Sequence, residues 1–147
     1  MPTHFDFDDI EIGFQFTTDS YVASHEEVVE FAKAYDPQPI HLDEAEASEG
    51  PFGKVIASGW QTLALTMKLI TAAKPFGETP LIGVTLQNVE FRKPLFPGTE
   101  FYVEATVVEK NRSIRKGQGF VTMKIETKCT TNDDVIVLQT CTIWFPK

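Results

Sequence analysis

Cysteine is scarce in this chain, with two among 147 residues, Cys129 and Cys141. They show neither a Cys-x-x-Cys pair nor a Cys/His ligand spacing, so the sequence offers no disulfide framework and no thiolate metal cluster. Free thiols buried in a reducing compartment are expected instead. Positive charge is also short: 13 Lys and Arg stand against 21 Asp and Glu, a formal net charge of −8. Such a field repels phosphate backbones, which makes nucleic acid an unexpected partner. No apolar run approaches the ~18 residues of a membrane helix. The nearest, from Leu63 to Ala73, is broken by Thr66, Lys68 and Thr71. The acidic first nine residues, Met1 to Asp9, lack the basic and apolar regions of a signal peptide. A soluble, cytoplasmic protein that keeps its N-terminus and has no membrane partner is therefore expected.

What the chain has is ordinary globular stock. Hydrophobic residues make up 42% and charged residues 23%, and the twelve Phe point to a substantial apolar interior. A chain of this length is expected to fold as one domain over 1–147, burying about 68–70% of its unfolded surface. It carries no internal repeat, low-complexity tract or linker that would divide it.

Hydrophobic periodicity predicts the elements. Ser24-His25-Glu26-Glu27 has the form of a capping box, in which Ser24 accepts from an orphan amide and Glu27 reaches back. Val28, Phe31, Ala32 and Tyr35 follow at helical spacing, and Pro37 stops the helix at Tyr35-Asp36. A shaped connection follows from Asp36 to Gly53, in which Asp43 to Ala47 has room for one or two helical turns. Ser58-Gly59-Trp60-Gln61 opens a second helix, reaching about Ala73. Its apolar residues, among them Trp60, Leu63, Leu65, Met67 and Ile70, spread around the circumference and predict burial on several sides. Beyond Gly77 four strands are predicted, over 81–91, 100–110, 119–130 and 135–145. Helices first and strands last is an α+β order, an antiparallel meander wrapping a helix.

The stretch with chemical content is Tyr35-Asp36-Pro37-Gln38-Pro39-Ile40-His41. Flanking prolines narrow the backbone around Asp36 and Gln38 and hold a carboxylate and an imidazole in a fixed relation. Such a pair, converging on one water, supplies a general base and a partner that orients the water or exchanges a proton with it. The plainer reading is a turn-capping Asp36 and a His41 satisfied by local hydrogen bonds. Ser58-Gly59 has a similar double reading. It is a helix cap, and it is also a helix N-terminus whose unpaired N–H groups and positive dipole end could hold a developing oxyanion, with Gly59 allowing close approach.

The Asp36 to His41 stretch resembles the MaoC-like family, which includes R-specific enoyl-CoA hydratases. Asp36, Pro39, Ile40 and His41 match its Gly-Asp-x-Asn-Pro-(Ile/Leu/Val)-His signature, while Tyr35 stands at the Gly and Gln38 at the Asn. Val55-Ile56-Ala57-Ser58-Gly59-Trp60 is similar to the family's entry into its central helix. Phe91-Arg92-Lys93-Pro94-Leu95-Phe96-Pro97-Gly98 is similar to its strand-to-turn segment. The resemblance implies a hot-dog fold, with an N-terminal helix and overhanging loop added to the wrapped sheet. It also implies a hydro-lyase. Asp36 and His41 would activate a water that adds to C3 of a trans-2-enoyl thioester, with the Gly59 amide on the thioester oxygen and neither metal nor redox cofactor.

Around that core, Gln38, Phe52, Ser58, Trp60, Arg92 and Lys93 are candidates for substrate binding. Ser58 caps the helix and is placed to touch the histidine. Phe76 is a further aromatic candidate for an acyl pocket, although aromatics near a buried helix are more often core. The run Lys110 to Lys116, with Lys110, Arg112, Arg115 and Lys116, is a candidate contact for coenzyme A phosphates or a solvated hairpin. His4 and His25 read as surface residues. The carrier of the acyl thioester is coenzyme A or acyl carrier protein, and a homodimer is expected because one hot-dog unit leaves sheet edges open.

Two other functions share the fold. A hot-dog thioesterase hydrolyses the same class of compound, but more often carries its carboxylate on or near the central helix, and 58–73 contains no Asp or Glu. A non-catalytic acyl-thioester-binding protein is compatible with the departures at Tyr35 and Gln38.

Overall fold

The computed structural model describes residues 4–146. The elements are β1 (Gln15–Thr17), β2 (Tyr21–Val22), α1 (His25–Tyr35), α2 (Pro39–Leu42), α3 (Glu44–Ser48), α4 (Gly59–Ala73), β3 (Ile82–Phe91), β4 (Glu100–Arg112), β5 (Gly119–Cys129) and β6 (Val135–Phe145). Six antiparallel strands form one sheet in the order β1-β4-β5-β6-β3, with β2 also on β4. The predicted helices and the four long strands stand within two residues of their expected bounds. The two short N-terminal strands and α2 are additions that the sequence pattern did not announce.

Alternation explains why β4, β5 and β6 form the centre. Phe101, Val103, Ala105 and Val107 on β4, with Val121, Met123 and Ile125 on β5 and Ile143 and Phe145 on β6, are all buried. Period-2 burial of this kind turns one face of the sheet onto a core, over which α4 lies. β3 behaves differently. It forms the free edge of the sheet, and Ile82, Val84, Leu86 and Phe91 are all exposed.

Helix α4 corrects the expectation of burial on several sides. Its buried residues are Gln61, Thr62, Leu65, Thr66, Leu69 and Ile70, whereas Trp60 is 68% exposed and Met67 is also open. The threonines sit on the buried face because each hydroxyl has a partner there: Thr62 and Thr66 donate to the carbonyls of Ser58 and Thr62, and Thr66 also meets Thr127 Oγ1 of β5 at 2.6 Å.

Both capping boxes form by half. Ser24 accepts from the Glu27 amide, but the Glu27 carboxylate takes the Tyr21 hydroxyl instead of reaching back. Ser58 accepts from the Trp60 amide, and Gln61 donates to the Glu27 carbonyl. The α1 stripe is narrower than expected as well. Val28 and Ala32 are buried, while Tyr35 is exposed with its ring on Phe31, 5.0 Å between centroids.

Cys129 and Cys141 are free, and burial pushes the Cys141 thiol up. His4 and His25 are exposed, and His25 stands 3.2 Å from Glu44.

Candidate active site at the N-terminus of α4

Helix α1 ends at Asp36, whose amide donates to the Ala32 carbonyl while its extended φ of −153° turns the chain out of the helix. Pro37 enforces that exit, and Pro39 occupies the first position of α2, where a missing N–H costs nothing. The short α2 then carries His41 inward. The loop is stitched to the strand-like approach to α4, because the Ile56 amide donates to the Ile40 carbonyl and His41 Nδ1 meets the Ile56 carbonyl at 2.7 Å.

That contact assigns the imidazole's roles. A carbonyl oxygen can only accept, so Nδ1 carries a proton and Nε2 is the nitrogen turned toward Asp36. Nε2 stands 3.3 Å from Asp36 Oδ2, and the two side chains are only 6% and 16% exposed. Asp36 itself has two donors, with Gln38 Nε2 on Oδ1 at 2.7 Å and Ser58 Oγ on Oδ2 at 2.7 Å. Its carboxyl is held below the usual carboxylate range, first by the Gln38 amide and then by the Ser58 hydroxyl. Burial opposes the shift, and His41 adds a smaller contribution in its favour. Asp36 is therefore an anion at neutral pH, facing a nitrogen that can take or return a proton.

Helix α4 starts beside this pair. Ser58 is fully buried and links the two features, accepting from Trp60 N–H while donating to Asp36. The serine touches the aspartate and not the histidine, which corrects the expected contact. Among the described residues, the Gly59 N–H has no acceptor within the chain. It is one of the orphan donors of a helix N-terminus, at the positive end of a 15-residue helix.

The Asp36–His41 pair and Gly59 open onto one cavity of about 370 Å³, which also touches Gln38, Phe52 and Trp60. Arg92 and Lys93 stand on its rim, each already paired with a carboxylate, Glu90 and Asp134 respectively. Apart from Ser58, which lies behind Asp36, and the two candidates described below, the cavity brings together the sequence-predicted site residues. Phe91, Thr62 and Val137 also line it and were not anticipated. For Phe91 the available signal was its place before Arg92-Lys93.

Two candidates fall elsewhere. Phe76 is buried beyond the opposite end of α4, packed against Phe5, Phe14, Phe16 and Phe145. The basic run belongs to the β4–β5 hairpin, where Arg112 pairs with Asp8, Lys110 donates to the Ile10 carbonyl, and both cations lie over the Phe7 ring. Those cations serve the packing of the N-terminal segment. Tyr35, at the signature's Gly position, does not line the cavity, whereas Gln38 uses its longer arm to hold Asp36.

Comparison with known proteins agrees with this architecture. The model of the MaoC like domain matches residues 9–129. The chain is 35% identical over 120 residues to the uncharacterized protein YdeM of Bacillus subtilis, covering 82% of this chain and 84% of that one. It is 29% identical over 142 residues to a 3-hydroxybutyryl-CoA dehydratase of Methylorubrum extorquens, covering 96% and 84% respectively. The crystal structure of a MaoC-like dehydratase from Rhodospirillum rubrum superposes with a TM-score of 0.86 at 31% identity, covering 96% of each chain. A six-stranded antiparallel sheet against a long helix, a matched domain over most of the chain and a relative of this closeness lead to one conclusion: the chain belongs to the MaoC-like dehydratase family and has its hot-dog fold.

Proposed function

We propose that the protein catalyses the reversible hydration of a trans-2-enoyl thioester, equally the dehydration of a 3-hydroxyacyl thioester. The observation that carries this reading is the Asp36–His41 pair, 3.3 Å apart, facing a cavity that Gly59, at the start of α4, also lines. A water entering the cavity meets the carboxylate and the imidazole together, the arrangement that general acid–base chemistry on water requires. In the hydration direction the water oxygen bonds to C3 and gives up one proton to the pair. The C2=C3 π electrons move toward the carbonyl, and the pair returns a proton to C2. Charge that builds on the thioester oxygen meets the Gly59 amide, a fixed donor worth about 2.7–4 kcal/mol of barrier in comparable sites.

Ser58 and Gln38 serve this chemistry by keeping Asp36 ionised and aimed. Phe52 and Trp60 border the acyl group, and Arg92 and Lys93 at the rim stand where the carrier, coenzyme A or acyl carrier protein, would enter. The chemistry calls for no metal or redox cofactor. The dehydratase name of the Methylorubrum relative supports the same reaction class. The free edge of β3 and the exposed Trp60, Met67 and Leu86 support a homodimer that covers them, with the cavity beside the interface.

The test follows loss of enoyl-thioester absorbance with crotonyl-CoA, with free thiol measured in parallel. The expected result is enoyl consumption without thiol release, reduced about 10²–10⁴-fold in Asp36→Asn while the far-UV spectrum is unchanged. Thiol release at the rate of substrate loss would replace the hydratase with a thioesterase. Undiminished turnover by Asp36→Asn would remove Asp36 from the reaction.

A further inference from the structure

The space beside Gly59 is not empty. A Cβ added to Gly59 would lie 2.5 Å from Phe91 Cε1, 2.9 Å from Cζ and 3.0 Å from Cδ1. The glycine therefore admits an aromatic ring from the same chain, seated directly on its Cα. Phe91 is 55% exposed, so the ring is not held there by burial in the core.

The backbone of β3 accounts for the placement. Leu86 faces Cys141 and Gln87 faces Thr140, but Glu90 faces Leu138 and Phe91 faces Val137. Three steps on β3 thus correspond to two on β6, which defines a bulge with one extra residue. Asn88 within it adopts φ of +52°, a conformation that asparagine tolerates better than most residues. Leu86 and Phe91 are five apart and in a regular strand would point to opposite faces. The bulge puts both on the face that carries Cys141 and Val137, and so aims Phe91 into the cavity. Bulges are recurrent means of re-aiming a side chain beside a site.

We propose that Phe91 is a specificity-determining residue, a wall that admits acyl thioesters unbranched at C2 and turns away those with a C2 substituent. The inference rests on the proposed placement of the thioester oxygen on the Gly59 N–H. Given that placement, C2 is two bonds from the held oxygen, and a methyl group on C2 must fit in the volume next to Gly59 Cα. The Phe91 ring fills that volume. An unbranched acyl group presents only hydrogens there and passes the wall.

Calorimetric binding of butyryl-CoA and isobutyryl-CoA, which differ in branching at C2, tests the wall without requiring turnover. Wild type is expected to prefer butyryl-CoA. Phe91→Ala is expected to lower the ratio of the two dissociation constants at least tenfold in favour of isobutyryl-CoA, and Phe91→Leu to fall between. The Leu variant also carries the test if the Ala variant fails to fold. A ratio within twofold of wild type in the folded variants overturns the proposal, as does failure of wild type to bind either ligand. Crotonyl-CoA hydration, measured alongside, separates the two claims. A wild type that keeps the binding preference but hydrates nothing removes the hydratase reading and leaves the wall standing.

Discussion

The two ends of helix α4 are built from different materials. At its start, Asp36, Gln38, His41, Ser58 and the Ile56 carbonyl form a chain of short polar contacts, three of them at 2.7 Å. Beyond its end, Phe76 sits among four other phenylalanines with ring centroids 5.4–6.4 Å away. Polar contacts depend on the identity and angle of each partner, whereas apolar packing depends on volume. One helix therefore separates a region where a single atom matters to chemistry from one where bulk matters to stability.

The sharpest way to break this contrast is to cross the two ends. Asp36→Asn should cost about 10²–10⁴ in hydration rate and only about 1–2 kcal/mol in stability, since the amide keeps the shape of the carboxyl but accepts through one atom instead of two. Phe76→Ala should do the reverse, losing about 3–5 kcal/mol in urea unfolding while the surviving folded fraction keeps its specific activity. If Phe76→Ala lowered turnover per folded molecule as much as Asp36→Asn, the division between the ends would be wrong.

Much of the packed region was readable from sequence because its physics is periodic. Alternation in Phe101-x-Val103-x-Ala105-x-Val107 marks a half-buried strand whatever lies opposite it. The Asp36 and His41 spacing was equally legible, since two prolines fix the loop in a way that sequence states directly. The exposure of Trp60 was not legible, because the apolar pattern of α4 covers most of its circumference and cannot say which arc meets the sheet. Threonines took that arc, satisfied by carbonyls and by Thr127. Phe91 was hidden for another reason: a one-residue bulge reverses the facing of everything after it, and counting by twos along β3 gives the wrong side.

Gly59→Ala ranks next in expected effect. The added methyl would meet the Phe91 ring at 2.5 Å, and the half-exposed ring must swing away from the cavity wall. A loss of roughly tenfold to a hundredfold in kcat/KM for crotonyl-CoA is expected, less than the ~10²–10³ that removing an oxyanion donor costs, because the N–H itself remains. Combining it with Phe91→Ala removes the clash, so the double variant should recover part of that loss. A double variant no better than Gly59→Ala alone would mean that the ring contact is incidental.

Ser58→Ala probes the joint between Asp36 and the helix. It removes a cap and one donor to Asp36 together, and should cost about 1–2 kcal/mol of stability. Because Ser58 is fully buried behind Asp36, its effect on catalysis should appear in kcat more than in KM. A rise in KM with kcat unchanged would instead give the hydroxyl a direct contact with substrate.

The smallest expected effect concerns Gln38, which supplies the largest part of the lowering of the Asp36 pKa. A carboxyl whose folded pKa is depressed adds stability above its unfolded value, about 3.9, and loses it as pH falls through the folded value. Gln38→Leu deletes the amide that favours the ionised form, so the variant should be less stable than wild type at pH 7. The gap should narrow as the pH falls below about 4, where Asp36 is protonated in both proteins' unfolded states and then in their folded states. Urea midpoints measured from pH 7 downward would show the convergence. A gap of constant size across that range would mean that Gln38 contributes through packing alone, and the polar end of α4 would then resemble its apolar end more than its hydrogen bonds suggest.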